Sequence, residues 1–272
     1  MTGVFRARIL SAMAGQSIPE ILGVLNLSPE SMVEESIAVG PAAIRERAAT
    51  LTRTGANWID LGGRSITPDV PMIDDAEEQR RLGPALDLLK IPDSEHSPYR
   101  ISVDTWSAAT ALFALERGAD AVNFTGKALP KILFETIAAR GATLFMTFMP
   151  YENAYLMRDA EPQPVGLQVV LDHLGPKVEA AHRAGIENVV IDPNLGIIHP
   201  ITDDHQKIHQ QLEIVWNLDA LRTLGCPILL YAARKPERLA RIMMASAVLH
   251  AGADYIRTHT PEMIRRLRQG AN

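Results

Sequence analysis

The stretch Ile101-Ser-Val-Asp-Thr105, Trp106-Ser-Ala-Ala-Thr-Ala-Leu-Phe-Ala-Leu-Glu-Arg117, Gly118-Ala-Asp120, Ala121-Val-Asn-Phe124 decides the fold. Ile101–Val103 is a short aliphatic run that ends at an aspartate. Ser107–Arg117 carries apolar residues at helical spacing, and Gly118 stands where a helix C-cap needs positive φ. Ala121–Phe124 is a second apolar run, too short for a helix. A strand, a crossover helix and a strand form the unit of a parallel sheet.

Working outward, the same unit recurs along the chain from Glu20 onward. The strand candidates are Ile21–Leu27, Trp58–Leu61, Ile101–Val103, Ala121–Phe124, Thr143–Phe148, Val189–Ile191, Pro227–Leu230 and Tyr255–Thr258. Each is followed by a helix candidate: Ala42–Thr54, Ala76–Leu89, Ser107–Arg117, Pro130–Ala139, Leu167–Ala184, His205–Thr223, Pro236–Ala251 and Pro261–Arg268. Gly55, Gly118, Gly141, Gly185, Gly225 and Gly252 each precede a strand, at helix C-cap positions. Pro130, Pro236 and Pro261 suit the first turn of a helix, where a missing N–H costs nothing. Doubly wound sheets alternate strands and helices too, so the number of pairs carries the assignment: eight pairs make a single (β/α)8 TIM barrel. The expected organisation is an N-terminal extension over 1–19 and the barrel over 20–272. Ser28–Pro41, Gly62–Asp75 and Pro150–Val165 are long βα loops suited to covering a site.

Composition excludes several classes of partner. Apolar residues make up 47% of the 272 and charged residues 22%, as in a globular protein with a large core. The net charge of -5, with both signs interspersed, offers no basic stripe for nucleic acid. The single cysteine, Cys226, sits in an apolar run and behaves as a small hydrophobe. Met1–Gln16 has no apolar stretch of signal-peptide length, and no run is long enough to span a bilayer. The expectation is a cytoplasmic protein with no membrane or nucleic-acid partner.

In a barrel, chemistry comes from the C-terminal ends of the strands. Polar groups stand there on nearly every strand: Asn26, Asp60, Asp104, Asn123, Met146 with Thr147, Asp192, Lys235, and Arg257 with His259. Taken singly, each has a plainer reading. Asp104 precedes Thr105 and Ser107 and suits a helix N-cap equally well. Asp60, before Gly62-Gly63, is read as bracing the turn, and a lone His259 as a structural imidazole. Independent caps do not give one converging set, so the collection implies a polar ligand. Asp192, with Asn123 and Asp104, suits a flat ring bearing adjacent N–H donors, because a carboxylate accepts two parallel bonds from a guanidine-like edge. Lys235, Arg257, His259 and Asn26 supply donors for a phosphate or diphosphate. No zinc-ligand spacing or Walker motif is present.

Several motifs, in order, resemble those of the dihydropteroate synthases. They are Ile21-Leu-Gly-Val-Leu-Asn-Leu-Ser-Pro-Glu-Ser31, Ile59-Asp-Leu-Gly-Gly63 with Ser65 and Pro68, Ile101-Ser-Val-Asp-Thr105, Asn123 with Gly126, Asp192-Pro193 with Gly196, Arg234-Lys235, and Arg257-x-His259. The resemblance implies that Asp104, Asn123, Asp192, Lys235 and Met146 hold a pterin ring. It implies that Asn26, Arg257 and His259 receive its diphosphate, with Mg²⁺ near Asn26 and no organic cofactor. Arg257, His259 and Lys235 are the catalytic candidates it implies. Diphosphate leaves a hydroxymethyl-dihydropterin, and p-aminobenzoate attacks the resulting methylene cation. The resemblance further implies a homodimer through the last helices, including Met243, Met244, Val248 and Leu249.

Departures from the family pattern gather on the side of the second substrate. The first loop reads Glu30-Ser-Met-Val-Glu-Glu-Ser36 in place of Asp-Ser-Phe-Ser-Asp-Gly-Gly, and the second Arg64-Ser-Ile-Thr-Pro68 in place of Glu-Ser-Thr-Arg-Pro. Ala233 stands where the family has Ser, and Gly196-Ile-Ile-His199 replaces Gly-Phe-Gly-Lys. Arg64, Ser65 and Thr67 are the candidates to meet a second substrate, with Arg64 reaching its carboxylate from a displaced position. Two alternatives stay open: a pterin-binding paralogue with another reaction or none, and a methyl-pterin-dependent methyltransferase. Arg257-x-His259 speaks against the methyltransferase, since a methyl carrier needs no paired cations at strand eight.

Overall fold

The computed structural model describes residues 18–67, 70–90, 98–163, 165–232, 235 and 237–270. Eight strands line up as β1 (Glu20–Asn26), β2 (Trp58–Gly62), β3 (Arg100–Thr105), β4 (Ala121–Phe124), β5 (Thr143–Thr147), β6 (Val189–Asp192), β7 (Leu229–Tyr231) and β8 (Tyr255–Thr258). The hydrogen-bonded order is β6-β5-β4-β3-β2-β1-β8-β7, with every pairing parallel. A bridge between Ile191 and Ile228 joins β6 to β7 and brings the sheet round into a barrel. The fold is the expected (β/α)8 TIM barrel.

The helices are α1 (Pro41–Arg53), α2 (Asp75–Leu89), α3 (Ala108–Glu116), α4 (Lys131–Arg140), α5 (Leu167–Arg183), α6 (Asp204–Trp216), α7 (Leu218–Arg222), α8 (Arg238–His250) and α9 (Pro261–Gly270). The six glycines expected at helix ends all have positive φ, from 61° to 112°. Pro261 opens α9 as expected, Pro130 is the N-cap of α4, and Pro236 lies outside the described residues. The single helix expected over His205–Thr223 is two. Asn217 leaves the helical region (φ -121°, ψ 32°), and its Nδ2 donates to the Glu213 carbonyl at 2.6 Å, ending α6 there.

Alternation along the strands sorts the core into two layers. Leu22, Trp58, Ala121, Phe145, Val190 and Leu229 point inward and fill the lower barrel. Trp58 and Tyr255 meet Phe145 edge-on, at centroid distances of 5.4 and 5.3 Å. Leu144, Met146, Ile191 and Leu230 point outward and pack under the helices, with Leu133, Leu174 and Val248 among their neighbours. The aromatic layer is a floor, and the inward residues one step further along each strand form the site above it.

Candidate active site

Asp60 lies above Trp58 on β2 and is wholly buried. Its Oδ2 accepts from Arg257 Nε at 2.6 Å and from Asn123 Nδ2 at 3.4 Å. Arg257 Nη2 donates in turn to Asp104 Oδ2 at 2.7 Å, and Thr125 Oγ1 donates to Asp104 Oδ1 at 3.2 Å. One guanidinium is thus held by two carboxylates from β2 and β3. Burial works against the Arg257 charge, but Asp60 and Asp104 outweigh it and hold the group above its usual range. Burial also pushes the Asp104 carboxyl up, against the pull of Arg257, and the neighbouring Asp60 charge adds to the rise. The N-cap of α3 is Ser107, whose side chain accepts from Thr110 N, so Asp104 is released from capping.

Asp192 ends β6, and Thr147 is its register partner on β5. Asp192 Oδ1 accepts from the Asn194 backbone N–H at 2.7 Å, and its carboxyl is pushed up to about 7, chiefly by burial. Around it are buried side-chain atoms with no hydrogen-bond partner among the described residues: Asp60 Oδ1, Asn123 Oδ1 and Thr147 Oγ1. Buried polar atoms are almost always paired, and leaving one unpaired costs about 1–3 kcal/mol. Three such atoms above one floor mark a surface shaped for a polar ligand.

Sequence alternation corrects one expected contact. Met146 has the wrong parity: it faces the helices, fully buried in the outer core, because the strand turns Phe145 and Thr147 inward. Thr147 is the residue that β5 contributes. Lys235 Nζ donates to Gln211 Oε1 of α6 at 2.7 Å. Asn26 closes the first strand, its Nδ2 donating to Ser36 Oγ at 2.6 Å and Ser31 Oγ at 3.0 Å. The His259 ring meets Tyr231 edge-on at 6.1 Å, and its carbonyl accepts from Arg47 Nη2 at 2.8 Å.

The two covering loops are tied to each other. Ser65 and Thr67 both donate to the Glu30 carbonyl, at 3.2 and 2.7 Å. Arg81 of α2 grips the Glu30 carboxylate with two nitrogens, at 2.9 and 3.1 Å, and holds that carboxyl down at about 2. Arg64, expected to reach a substrate carboxylate, is spent within the protein. It pairs with Asp75 and with the buried Glu78, its Cζ lies 5.0 Å from the Trp106 ring centroid, and its side chain is 7% exposed. Both carboxylates belong to the acidic first turn of α2, which captures the arginine. Ile66 and Trp106 join Met149, Tyr151, Met157 and Ile197 in an apolar cluster above the β5 and β6 ends, and Arg158 donates to the Ile66 carbonyl. Pro68, Ala233 and Arg234 lie outside the described residues.

Sequence reasoning reads Asp60 as a turn residue, names Thr147 only beside Met146, and passes over Tyr231. The register of β5 against β6, which pairs Thr147 with Asp192, is what singles out Thr147. No local signal distinguishes Asp60 from a turn residue, because its partner Arg257 is 197 positions away.

A parallel (β/α)8 barrel with a ring of buried carboxylates and amides at its C-terminal mouth defines a small-molecule enzyme site. The model of the family described as pterin binding enzyme matches residues 22–259, and the chain belongs to that family. A dihydropteroate synthase type-1 from Escherichia coli is 28% identical over 262 residues, covering 90% of each chain. Among solved structures, the Thermus thermophilus dihydropteroate synthase in complex with 4-aminobenzoate is 25% identical, with a TM-score of 0.71 and 93% of each chain covered. The Yersinia pestis dihydropteroate synthase, in complex with a sulfonamide drug, superposes with a TM-score of 0.78 at 19% identity, again over 93% of each chain. Among the described residues, no helix is long and apolar enough to cross a membrane.

Proposed function

We propose that this chain is a dihydropteroate synthase-type transferase. It binds 6-hydroxymethyl-7,8-dihydropterin diphosphate, breaks the bond from the methylene carbon to the diphosphate oxygen, and joins that carbon to the nitrogen of p-aminobenzoate or a related aromatic amine. The amine loses a proton, and diphosphate leaves. The observation that carries the reading is the set of unpartnered acceptors, Asn123 Oδ1 and Thr147 Oγ1, beside the Asp192 carboxylate. A pterin edge presents several N–H donors in one plane, and these atoms would satisfy them. The names of the relatives support the same chemistry, as does a structure of the Anaplasma phagocytophilum dihydropteroate synthase with bound 6-hydroxymethylpterin-monophosphate (24% identical, TM-score 0.73, covering 94% of this chain and 99% of that one).

The two carboxylates on Arg257 give its role a second part. Asp60, Asp104 and Arg257 together carry one net negative charge, and an ionised Asp192 adds another. A fixed negative field under the ring favours the cationic methylene carbon as the diphosphate departs. Arg257 spends its Nε–H and one Nη2–H on the carboxylates, so Nη1 and the second Nη2–H are the donors left to meet a phosphate oxygen, with His259 beside them. The Asn26 Nδ2 is engaged by two serines, which leaves its amide oxygen as a single protein ligand for a Mg²⁺ that the diphosphate brings, and the metal would neutralise the leaving group. Of the residues expected at a homodimer face, Met244 and Val248 are buried in the outer core, whereas Met243 is 65% exposed and Leu239, one turn before it on α8, is 68% exposed. These two support a homodimer through the last helices, to be read from its mass in solution.

The testing assay is turnover with the pterin diphosphate and a panel of aromatic amines, read by released pyrophosphate. Pyrophosphate release that depends on an added amine is expected; no release with any amine refutes the transfer.

A further inference from the structure

Tyr231 ends β7 and faces inward, in register with Arg257 on β8. Three of the described residues lie against its ring. The Arg257 Cζ lies 5.7 Å from the ring centroid, and the His259 ring stands edge-on to it at 79°. On the third side is Gly196, in the loop after β6: a Cβ there would stand 2.6 Å from Tyr231 Cδ1 and 3.0 Å from Cε1. Contacts that short do not occur, so the ring lies against bare backbone and any side chain at 196 would displace it. The glycine is required by close approach, since its φ is not in the left-handed region.

The position of this ring sets it apart from the other inward aromatics. Trp58, Phe145 and Tyr255 belong to the floor of the barrel. Tyr231 is the next inward residue of β7 after Leu229, partly exposed and in register with Arg257, whose guanidinium donates to Asp104; Asp104, Asn123, Thr147 and Asp192 stand at the inward ends of their own strands. Those four groups, on β3 to β6, can bind the edge of a flat heterocycle, but an edge alone does not fix its plane. A flat ring also needs a face to lie on, and offset stacking on an aromatic side chain supplies one. We propose that Tyr231, seated on Gly196, is that face, and so is a specificity-determining residue of the pocket. The inference rests on the pterin reading of the site and assigns a residue that the strand-end motifs do not include.

The test uses 6-hydroxymethylpterin diphosphate as a fluorescent probe, titrated with the full chain and its Tyr231→Phe and Tyr231→Leu variants. Phe keeps the ring face and removes the hydroxyl; Leu keeps apolar bulk and removes the face. Tyr231→Phe should bind within about twofold of the parent and quench the probe equally. Tyr231→Leu should bind roughly tenfold more weakly, the scale of one stacked base, and lose the quenching. Thermal unfolding reports whether each variant folds, and Tyr231→Met, unbranched and more adaptable, repeats the measurement if the leucine variant does not. A parent chain that fails to bind the probe refutes the pterin reading itself. A parent that binds, with Tyr231→Leu binding equally or quenching equally, overturns the role of Tyr231 alone. So does Tyr231→Phe losing as much as Tyr231→Leu.

Discussion

Replacing Arg257 with Met tests how the charge in the site is balanced. The guanidinium is 17% exposed and lies between Asp60, which is 0% exposed, and Asp104, which is 25% exposed. Removing one partner of a buried pair costs about 3–5 kcal/mol, and the solvent that reaches Asp104 places this case near about 3. That is a large share of a total stability of about 5–15 kcal/mol. Without the cation, one carboxyl takes a proton instead of standing charged in the barrel. Its folded pKa then lies above its unfolded value of about 3.9, so the stability it retains at low pH is lost as pH rises through the folded value. At pH 5.5 the protonated route costs at most about 1.36 kcal/mol times 1.6 pH units, roughly 2 kcal/mol. Urea unfolding should therefore show Arg257→Met losing about 3 kcal/mol at pH 8 and no more than about 2 at pH 5.5. Adding Asp60→Asn should recover most of the loss at pH 8. A loss below about 1 kcal/mol, or one that does not change with pH, would refute the pairing as the source of the charge balance.

Asp192 should make ring binding pH-dependent. Its carboxyl is held up at about 7, so the acceptor form grows about tenfold between pH 6 and 8; pterin affinity should rise by that factor, and Asp192→Asn should flatten the profile and weaken binding throughout. The same raised value means that this group supports folding fully below its unfolded value of about 3.9 and that the support is lost as pH rises through about 7, which urea titration against pH would reveal. Phe145→Ala, which removes the ring that Trp58 and Tyr255 meet edge-on, should cost about 3–5 kcal/mol in the same assay.

The barrel was legible because each of its signals is local. Apolar runs, helical spacing and a glycine before each strand are read within one βα unit, and Gly118 in the 101–124 stretch behaves as the others do. Most inward strand-end residues were legible for the same reason, since Asn26, Asp104, Asn123, Asp192 and Arg257 end their strands or nearly so. What escaped depends on geometry across the barrel. Met146 and Thr147 are adjacent in sequence, and only the register with Asp192 decides which of them faces the site. Arg64 was legible as a cation but not as a captured one, because its partners Asp75 and Glu78 belong to the next helix. The plane of the Tyr231 ring depends on the empty space at Gly196, which no residue type announces.

The central claim is that the mouth of this barrel binds a pterin diphosphate through Asp192 and its unpartnered neighbours. Isothermal calorimetry with 6-hydroxymethyl-7,8-dihydropterin diphosphate and Mg²⁺ tests it most directly. Saturable one-to-one heat is predicted for the parent chain and a weakening of at least about tenfold for Asp192→Asn, as expected when a charge-assisted pair is lost. No heat with the parent, or equal affinity in Asp192→Asn, would contradict the account.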